Sequence, residues 1–362
     1  MSRLLALARK ELRQLRRDRL TLAMMVMLPV VQLLLFGYAI NNDVRHIPVV
    51  VLDHDRSATS RDIVRTLSAT GTFDVVGAVA SYGEVSRALR SDAARVAIVL
   101  PPGLGAAMAT GEPTEAQLVV DGSDPQIVGS ATQTTAGVAA AYGGPGRPGL
   151  IRFEPSIWYN PEQRTAVFVV PGLVGVILTM TMVMLTAMAI ARERERGTLE
   201  ALIVSPASRF EVVLGKILPY IVIGYVQTTL ILILGWLVFD VPVVGSISLL
   251  YVLSSLFIAA SLAVGLVFST IARTQQQAMQ MSFFFLLPNI LLSGFMFPFE
   301  GMPRLAQWLA QALPLTHYLR VVRRIVLKGG GMVDVLDEAV ALAVILAVLI
   351  VLAAARFRKQ LL

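Results

Sequence analysis

Six long apolar runs constrain this chain more than any other feature. They lie at about 22–40, 166–190, 217–239, 247–270, 278–297 and 338–355. Each is near or above the roughly 20 residues that an α-helix needs to cross the hydrocarbon core of a bilayer. One such run is compatible with a buried core helix, but six in 362 residues are too many for a soluble core. Composition agrees: 56% of the residues are hydrophobic and 15% are charged, against about 25% charged in a soluble domain. The first run follows a basic stretch and ends in "GYA" around Ala39, as a signal peptide would. Its length exceeds the ~7–15-residue apolar core of such a peptide, so it reads as a retained span at 19–40. The expected fold class is an α-helical integral membrane protein with six spans.

Basic residues orient the spans. Arg3, Arg9, Lys10, Arg13, Arg16, Arg17 and Arg19 precede the first; Arg192, Arg194, Arg196, Arg209 and Lys216 separate the second from the third. Arg273 follows the fourth, and Arg356, Arg358 and Lys359 follow the sixth. With six spans all of these fall on one side, which the positive-inside rule makes cytoplasmic, both termini included. Arg320, Arg323, Arg324 and Lys328 dissent, because they fall on the opposite side. The net charge of +7 is thus a matter of topology. The basic residues are divided among loops without an aromatic-interleaved patch, so no nucleic-acid partner is expected. There is no cysteine, and His46, His54 and His317 lack ligand spacing; they read as surface or packing histidines, not as metal ligands.

Between the first two spans, 41–165 is of a different kind. "IPVVVLDHD", "FDVVGAV", "RVAIVLPPG" and "AQLVVDGSD" read as strands, alternating with helices in "SRDIVRTLS", "SYGEVSRALRS", "LGAAMATG" and "PQIVGSATQTTAGVAAAY". That alternation predicts a compact α/β domain, extracytoplasmic by its position. "GGPGRPG" at 143–149 reads as a linker back toward the membrane. Asp53, Asp55, Asp121 and Asp124 cluster at strand ends and read as turn and helix caps in preference to a metal or sugar site. Residues 1–18 place Leu4, Leu5, Ala8, Leu12 and Leu15 on one helical stripe, as in a helix lying in the cytoplasmic interface. After the fifth run, Pro298, Pro303 and Pro314 break 298–330 into short external helices, with Trp308 and Tyr318 suited to a membrane interface.

Catalytic signatures are missing. There is no G-x-x-x-x-G-K-[ST]; Gly215-Lys216 is followed by Ile217 and lacks the earlier glycine, so the chain has no phosphate loop of its own. The interiors of the runs hold no Asp, Glu, Lys, Arg or His, and their weakly polar residues include Gln32, Thr179, Thr181, Gln227, Thr228, Ser261, Asn289 and Ser293. Ion-coupled transporters generally place an ionisable residue there, so a transporter of this composition takes its energy from elsewhere. The connector "RERERGTLEALIVSPASRFEVVLGK" at 192–216 is charged and capped instead of being a tight turn. Thr198 can cap a short helix with Glu200 in its first turn, Pro206 ends it, and Ser208 with Glu211 forms a capping box for the third span. A rigid charged helix at 195–206 is a suitable handle for a partner to push.

This connector resembles the one between the second and third spans in permeases of the ABC type-2 exporter family. "SIWYNPEQRTAVFVVPGL" at 156–173 and "LLPNILLSGFMFPFEGMPRLAQWLAQALPLTHYLRVVR" at 286–323 resemble the family's subgroup with a large extracytoplasmic domain. The resemblance implies a permease subunit in a bacterial inner membrane that exports an amphiphilic drug, lipid or similar compound. It implies a second permease, identical or homologous, and a separate cytoplasmic ATPase that uses ATP and Mg, with no cofactor on this chain. Membrane lipid and a periplasmic adaptor are further expected partners. Glu195, Gly197, Thr198, Glu200, Ser205 and Pro206 would receive the ATPase motion. Thr179, Met180, Met184, Phe285, Asn289 and Ser293 would line the substrate path. Sodium extrusion and a receptor or scaffold sensing through the external domain are the alternatives.

Overall fold

A computed structural model describes residues 44–142, 150–195, 197 and 209–359. The expected interfacial helix at 1–18, the first span, and Thr198, Glu200, Ser205, Pro206 and Ser208 lie outside these residues.

Two β-branched runs, β1 (Ile47–Asp53) and β3 (Val96–Leu100), occupy the middle of a sheet with β2 (Phe73–Ala78), β4 (Thr114–Asp121) and β5 (Ile151–Trp158). The order is β2-β1-β3-β4-β5. β1 is parallel to both neighbours, β4 runs antiparallel to β3, and β5 is parallel to β4. Alternate strand residues point to opposite faces. Val49, Val51, Ile98, Leu118 and Val120 pack under α1 (Ala58–Ala69), α3 (Leu104–Thr110) and α4 (Pro125–Ala141). Val50, Leu52, Ala97, Val99 and Val119 pack under α2 (Tyr82–Arg90) through Val85 and Leu89. The four expected strands are present, and β5 is a fifth that lies where a linker and span entry were expected. Its Ile151 and Phe153 are buried while Arg152 and Glu154 are exposed; Pro155 obscures this alternation in the sequence, yet is tolerated on an edge strand.

The strand-end aspartates mostly act as turn residues. Asp53 Oδ1 accepts from the Asp55 and Arg56 amides, Asp55 Oδ2 accepts from the Gly105 amide, and Asp124 caps α4 by accepting from the Gln126 amide at 3.0 Å. Asp121 Oδ1 likewise accepts from the Ser123 amide at 3.0 Å, but its Oδ2 faces buried cations.

The rest is helical: α5 (Thr165–Glu195), α6 (Arg209–Phe239), α7 (Ile247–Ile271), α8 (Gln275–Leu292), α9 (Arg304–Gln311), α10 (Pro314–Val326) and α11 (Met332–Lys359), with a 3₁₀ turn at Phe299–Gly301. Among the described residues, four helical stretches are long and apolar enough to cross a membrane: Thr165–Glu195, Pro219–Phe239, Ile247–Ile271 and Met332–Arg356. The first and third have 56% and 61% of their most apolar stretch buried, the other two 17% and 22%, so α5 and α7 form the centre and α6 and α11 the periphery. Within the fifth expected run, 278–297, α8 ends at Leu292, and its 18 residues reach about 27 Å. The apolar run continues, but Gly294 takes a left-handed φ of 82° and the helix stops there. The helix of the sixth run begins earlier than expected, at Met332, which brings Asp334 and Asp337 onto it beside Glu338.

The weakly polar residues of the runs serve as ties. Thr181 donates to Gln227 Oε1 at 2.9 Å, joining α5 to α6, while the Thr179 and Thr228 hydroxyls return to Gly175 and Gly224 carbonyls of their own helices. Where α7 crosses α5, a Cβ on Gly265 would lie 2.5 Å from the Val183 carbonyl oxygen, so only glycine permits that approach. Tyr318 is corrected. It is fully buried, stacked on Phe257 with ring centroids 4.0 Å apart, and its hydroxyl shares a 2.7 Å hydrogen bond with Ser254. It is a packing residue of α10, whereas Trp308 is 74% exposed.

Candidate functional site

Two places concentrate features that packing alone does not require. The first is a shallow groove between α5 and α8. Met180, Met184, Ser282, Phe283 and Leu286 line it. Thioether and aromatic groups suit adaptable apolar contact. Of the expected substrate-path residues, the fold therefore brings Met180 and Met184 together. Thr179 is buried with its hydroxyl turned to its own helix, and Phe285 packs edge-on against Phe268 of α7 at 5.4 Å. Ser293 is buried at the end of α8 and donates to Ile290 O. Asn289 is 1% exposed, and neither its amide nitrogen nor its oxygen has a partner among the described residues. A buried orphan group of this kind costs about 1–3 kcal/mol.

At the far end of α5, Glu195 Oε2 accepts from Gln275 Nε2 at 2.6 Å, and Arg192 Nε donates to Gln275 Oε1 at 3.0 Å. Arg194 donates to the Ala272 carbonyl at 2.7 Å. Gly197, at φ 70°, turns the chain out of the helix. The segment leading into 195–206 is thus tied to the start of α8, one wall of the groove.

The second place is an ion network where the α/β domain meets α10 and α11. His317, Arg320, Arg324 and Lys328 recur at three- and four-residue spacing and share one side of α10 and its extension. Lys328 is wholly buried: its Nζ donates to Leu89 O at 2.9 Å, to Asp121 Oδ2 at 2.6 Å and to Asp92 Oδ1. Arg95 bridges Asp92 and Asp121 at 2.7 and 2.8 Å. Arg324 joins Asp92, Asp337 and Glu338, and Glu338 also meets Arg320 at 3.1 Å and His317 Nδ1 at 2.5 Å. Burial pushes the carboxyls of Asp92 and Asp121 up, but the cations facing them prevail. Lys328, Arg95 and Arg324 hold Asp92 far below the usual carboxylate range, and Arg95 and Lys328 lower Asp121. Burial, with Asp121 nearby, pushes the Tyr159 hydroxyl up to about 12.

This network accounts for three of the four basic residues that dissent from the charge count, Arg320, Arg324 and Lys328. Arg324 and Lys328 are not loop charges selecting a membrane side; they are buried counter-ions. His317, expected as a surface or packing histidine, is buried and hydrogen-bonded to Glu338. Asp92, Arg95 and Glu338 were not singled out from the sequence. The available signal was the misfit itself, since four cations on the wrong side call for acidic partners.

Residues 19–355 match the profile of the ABC-2 family transporter proteins. The chain is 29% identical over 363 residues to the probable multidrug ABC transporter permease YbhR of Escherichia coli K12, covering 99% of each chain. It is 30% identical over 337 residues to the probable multidrug ABC transporter permease YbhS of the same strain, covering 91% of this chain and 89% of the relative. The inner membrane transport permease YhhJ is 28% identical over 363 residues, covering 97% and 95%. A match over this span, on a helical fold with several apolar membrane-length helices, has one reading: the chain belongs to the ABC-2 family of transporter proteins and is a multi-pass membrane permease.

Proposed function

We propose that this permease is the membrane half of an ATP-driven exporter of amphiphilic compounds in a bacterial inner membrane. Two permeases pair, a separate ATPase binds at the cytoplasmic end, and the α/β domain stands outside. The observation that carries the reading is the end-to-end similarity to permeases named as probable multidrug ABC transporters. The α5–α8 groove, lined by Met180, Met184, Phe283 and Leu286 with Ser282 as its polar residue, supports an apolar or amphiphilic substrate. The ties from Arg192, Arg194 and Glu195 to residues 272–275 support a mechanical role for 195–206. A push on that connector would move α5 and the start of α8 together and alter the groove.

The test is reconstitution in proteoliposomes with the cognate ATPase. Wild-type permease should raise ATP hydrolysis in the presence of an amphiphilic dye and export it, while permease alone hydrolyses nothing. Glu200→Arg should abolish dye export at a normal membrane level, because like charges meeting across an interface cost several kcal/mol. Unchanged export by that variant would remove the connector from the mechanism.

A further inference from the structure

Between the α/β domain and the chain from Ser293 to Glu338 lies a cavity of about 990 Å³, at the upper end of the size that holds small ligands. It is separate from the α5–α8 groove. Part of its wall is apolar and open: Val76 of edge strand β2 is 55% exposed and Trp308 of α9 is 74% exposed. Another part is charged, with Arg95, Glu300, Arg320 and Arg323.

The charges are not evenly matched. Asp92 has Arg95, Arg324 and Lys328; Glu300 has Arg95 at 3.6 Å; Asp337 and Glu338 have Arg324. Burial pushes the Asp124 carboxyl up, toward its neutral form, against the pull of Arg95 and Arg323. Two cavity guanidiniums have no carboxylate within 4.0 Å among the described residues. Arg304 is exposed at the start of α9. Arg323 stacks over the Phe168 ring at 4.5 Å and donates to Gly294 O at 3.1 Å, and its Nε and Nη2 have no acceptor among the described residues. Guanidinium groups match phosphate and carboxylate oxygens in a fixed fork geometry, and an exposed indole offers an apolar surface beside them.

We propose that this cavity binds an anionic amphiphile, its phosphate- or carboxylate-type head toward Arg304 and Arg323 and its tail against Trp308 and Val76. Anionic phospholipids and anionic exported compounds share this chemistry. The inference goes beyond the export reading, because binding is measured on the permease without any ATPase or transport.

The experiment uses full-length permease in phosphatidylcholine nanodiscs, labelled with a diazirine-bearing decyl phosphate, with adducts mapped by mass spectrometry. Adducts are expected within 302–311 and 74–76. Unlabelled decyl phosphate should compete at least tenfold better than decyltrimethylammonium or inorganic phosphate. Arg304→Glu, on an exposed side chain, and Trp308→Ala should each lower labelling at least fivefold at unchanged melting temperature. Adducts elsewhere only, equal competition by the cationic amphiphile, or unchanged labelling in both variants would overturn the proposal. Discs containing phosphatidylglycerol separate the sources: displacement of the probe supports the site with a bilayer lipid as occupant, and persistence of labelling supports it with a free amphiphile.

Discussion

Lys328 and Asp121 stand 207 positions apart in the chain and 2.6 Å apart in the fold, both side chains wholly buried. This pair fastens the α/β domain to the helices that follow α9. Without Lys328, Asp121 would keep Arg95 alone, and without Asp121, Lys328 would keep Asp92 alone, so loss of either residue unbalances buried charge and makes the network testable.

Lys328→Met should destabilise the permease by about 3–5 kcal/mol, the usual effect of removing one member of a buried ion pair. Adding Asp121→Asn should recover part of that loss, because it removes one of the two buried carboxylates that lost a cation and leaves Arg95 to Asp92. Melting of the detergent-solubilised protein and protease sensitivity between 89 and 96 measure this. A single variant that melts like the parent would contradict the buried pairing.

Tyr318 tests the packing of α10 against α7. Tyr318→Phe keeps the ring on Phe257 and loses the bond to Ser254, whose hydroxyl still donates to Leu250 O. The expected loss is about 0.5–1.5 kcal/mol. Tyr318→Ala should lose about 3–5 kcal/mol, as large aromatic truncations do. Equal melting of the two variants would mean the ring carries no packing.

Asn289→Leu replaces a buried amide that lacks partners among the described residues with an apolar group of similar size. It should melt no lower than the parent. If the groove carries substrate, export of an amphiphilic dye should fall while melting does not. A drop in melting of several degrees would show that Asn289 is satisfied within the protomer.

The pH dependence of domain docking follows from Asp92 and Asp121, both held below the usual carboxylate range. Their folded pKa values lie under the unfolded value near ~3.9, so their contribution is full above that value and is lost as pH falls through the lower folded values. Hydrogen-exchange protection across 89–95 and 324–330, corrected for intrinsic rates, should stay level from about pH 8 to about pH 5 and fall only in stronger acid. Loss of protection near neutrality would refute this assignment.

Helices, their faces and most strands were legible in the sequence because their signals are local. Apolar runs mark α5, α6, α7 and α11 by length, and the buried runs of β1 and β3 mark a central sheet. Where a local signal was overruled, a particular residue is responsible. Pro155 masked the alternation of β5, and Gly294 ended α8 inside a run that stays apolar. The groove residues Met180 and Met184 were reached through resemblance, and only the packing of α5 on α8 separates them from Thr179 and Phe285, which turn elsewhere.

The charges divide the two kinds of knowledge most sharply. The sequence by itself determined that this is a membrane chain with a folded insert, because hydropathy and periodicity depend on neighbours a few residues apart. It also held the contradiction in Arg320, Arg323, Arg324 and Lys328, without the means to resolve it. Only the tertiary structure decided that Arg324 and Lys328 are counter-ions of Asp92, Asp121, Asp337 and Glu338. The physical reason is that a charge is tolerated in the interior only when an opposite charge reaches it, and the partners here come from segments more than 200 residues away as well as from the next helix.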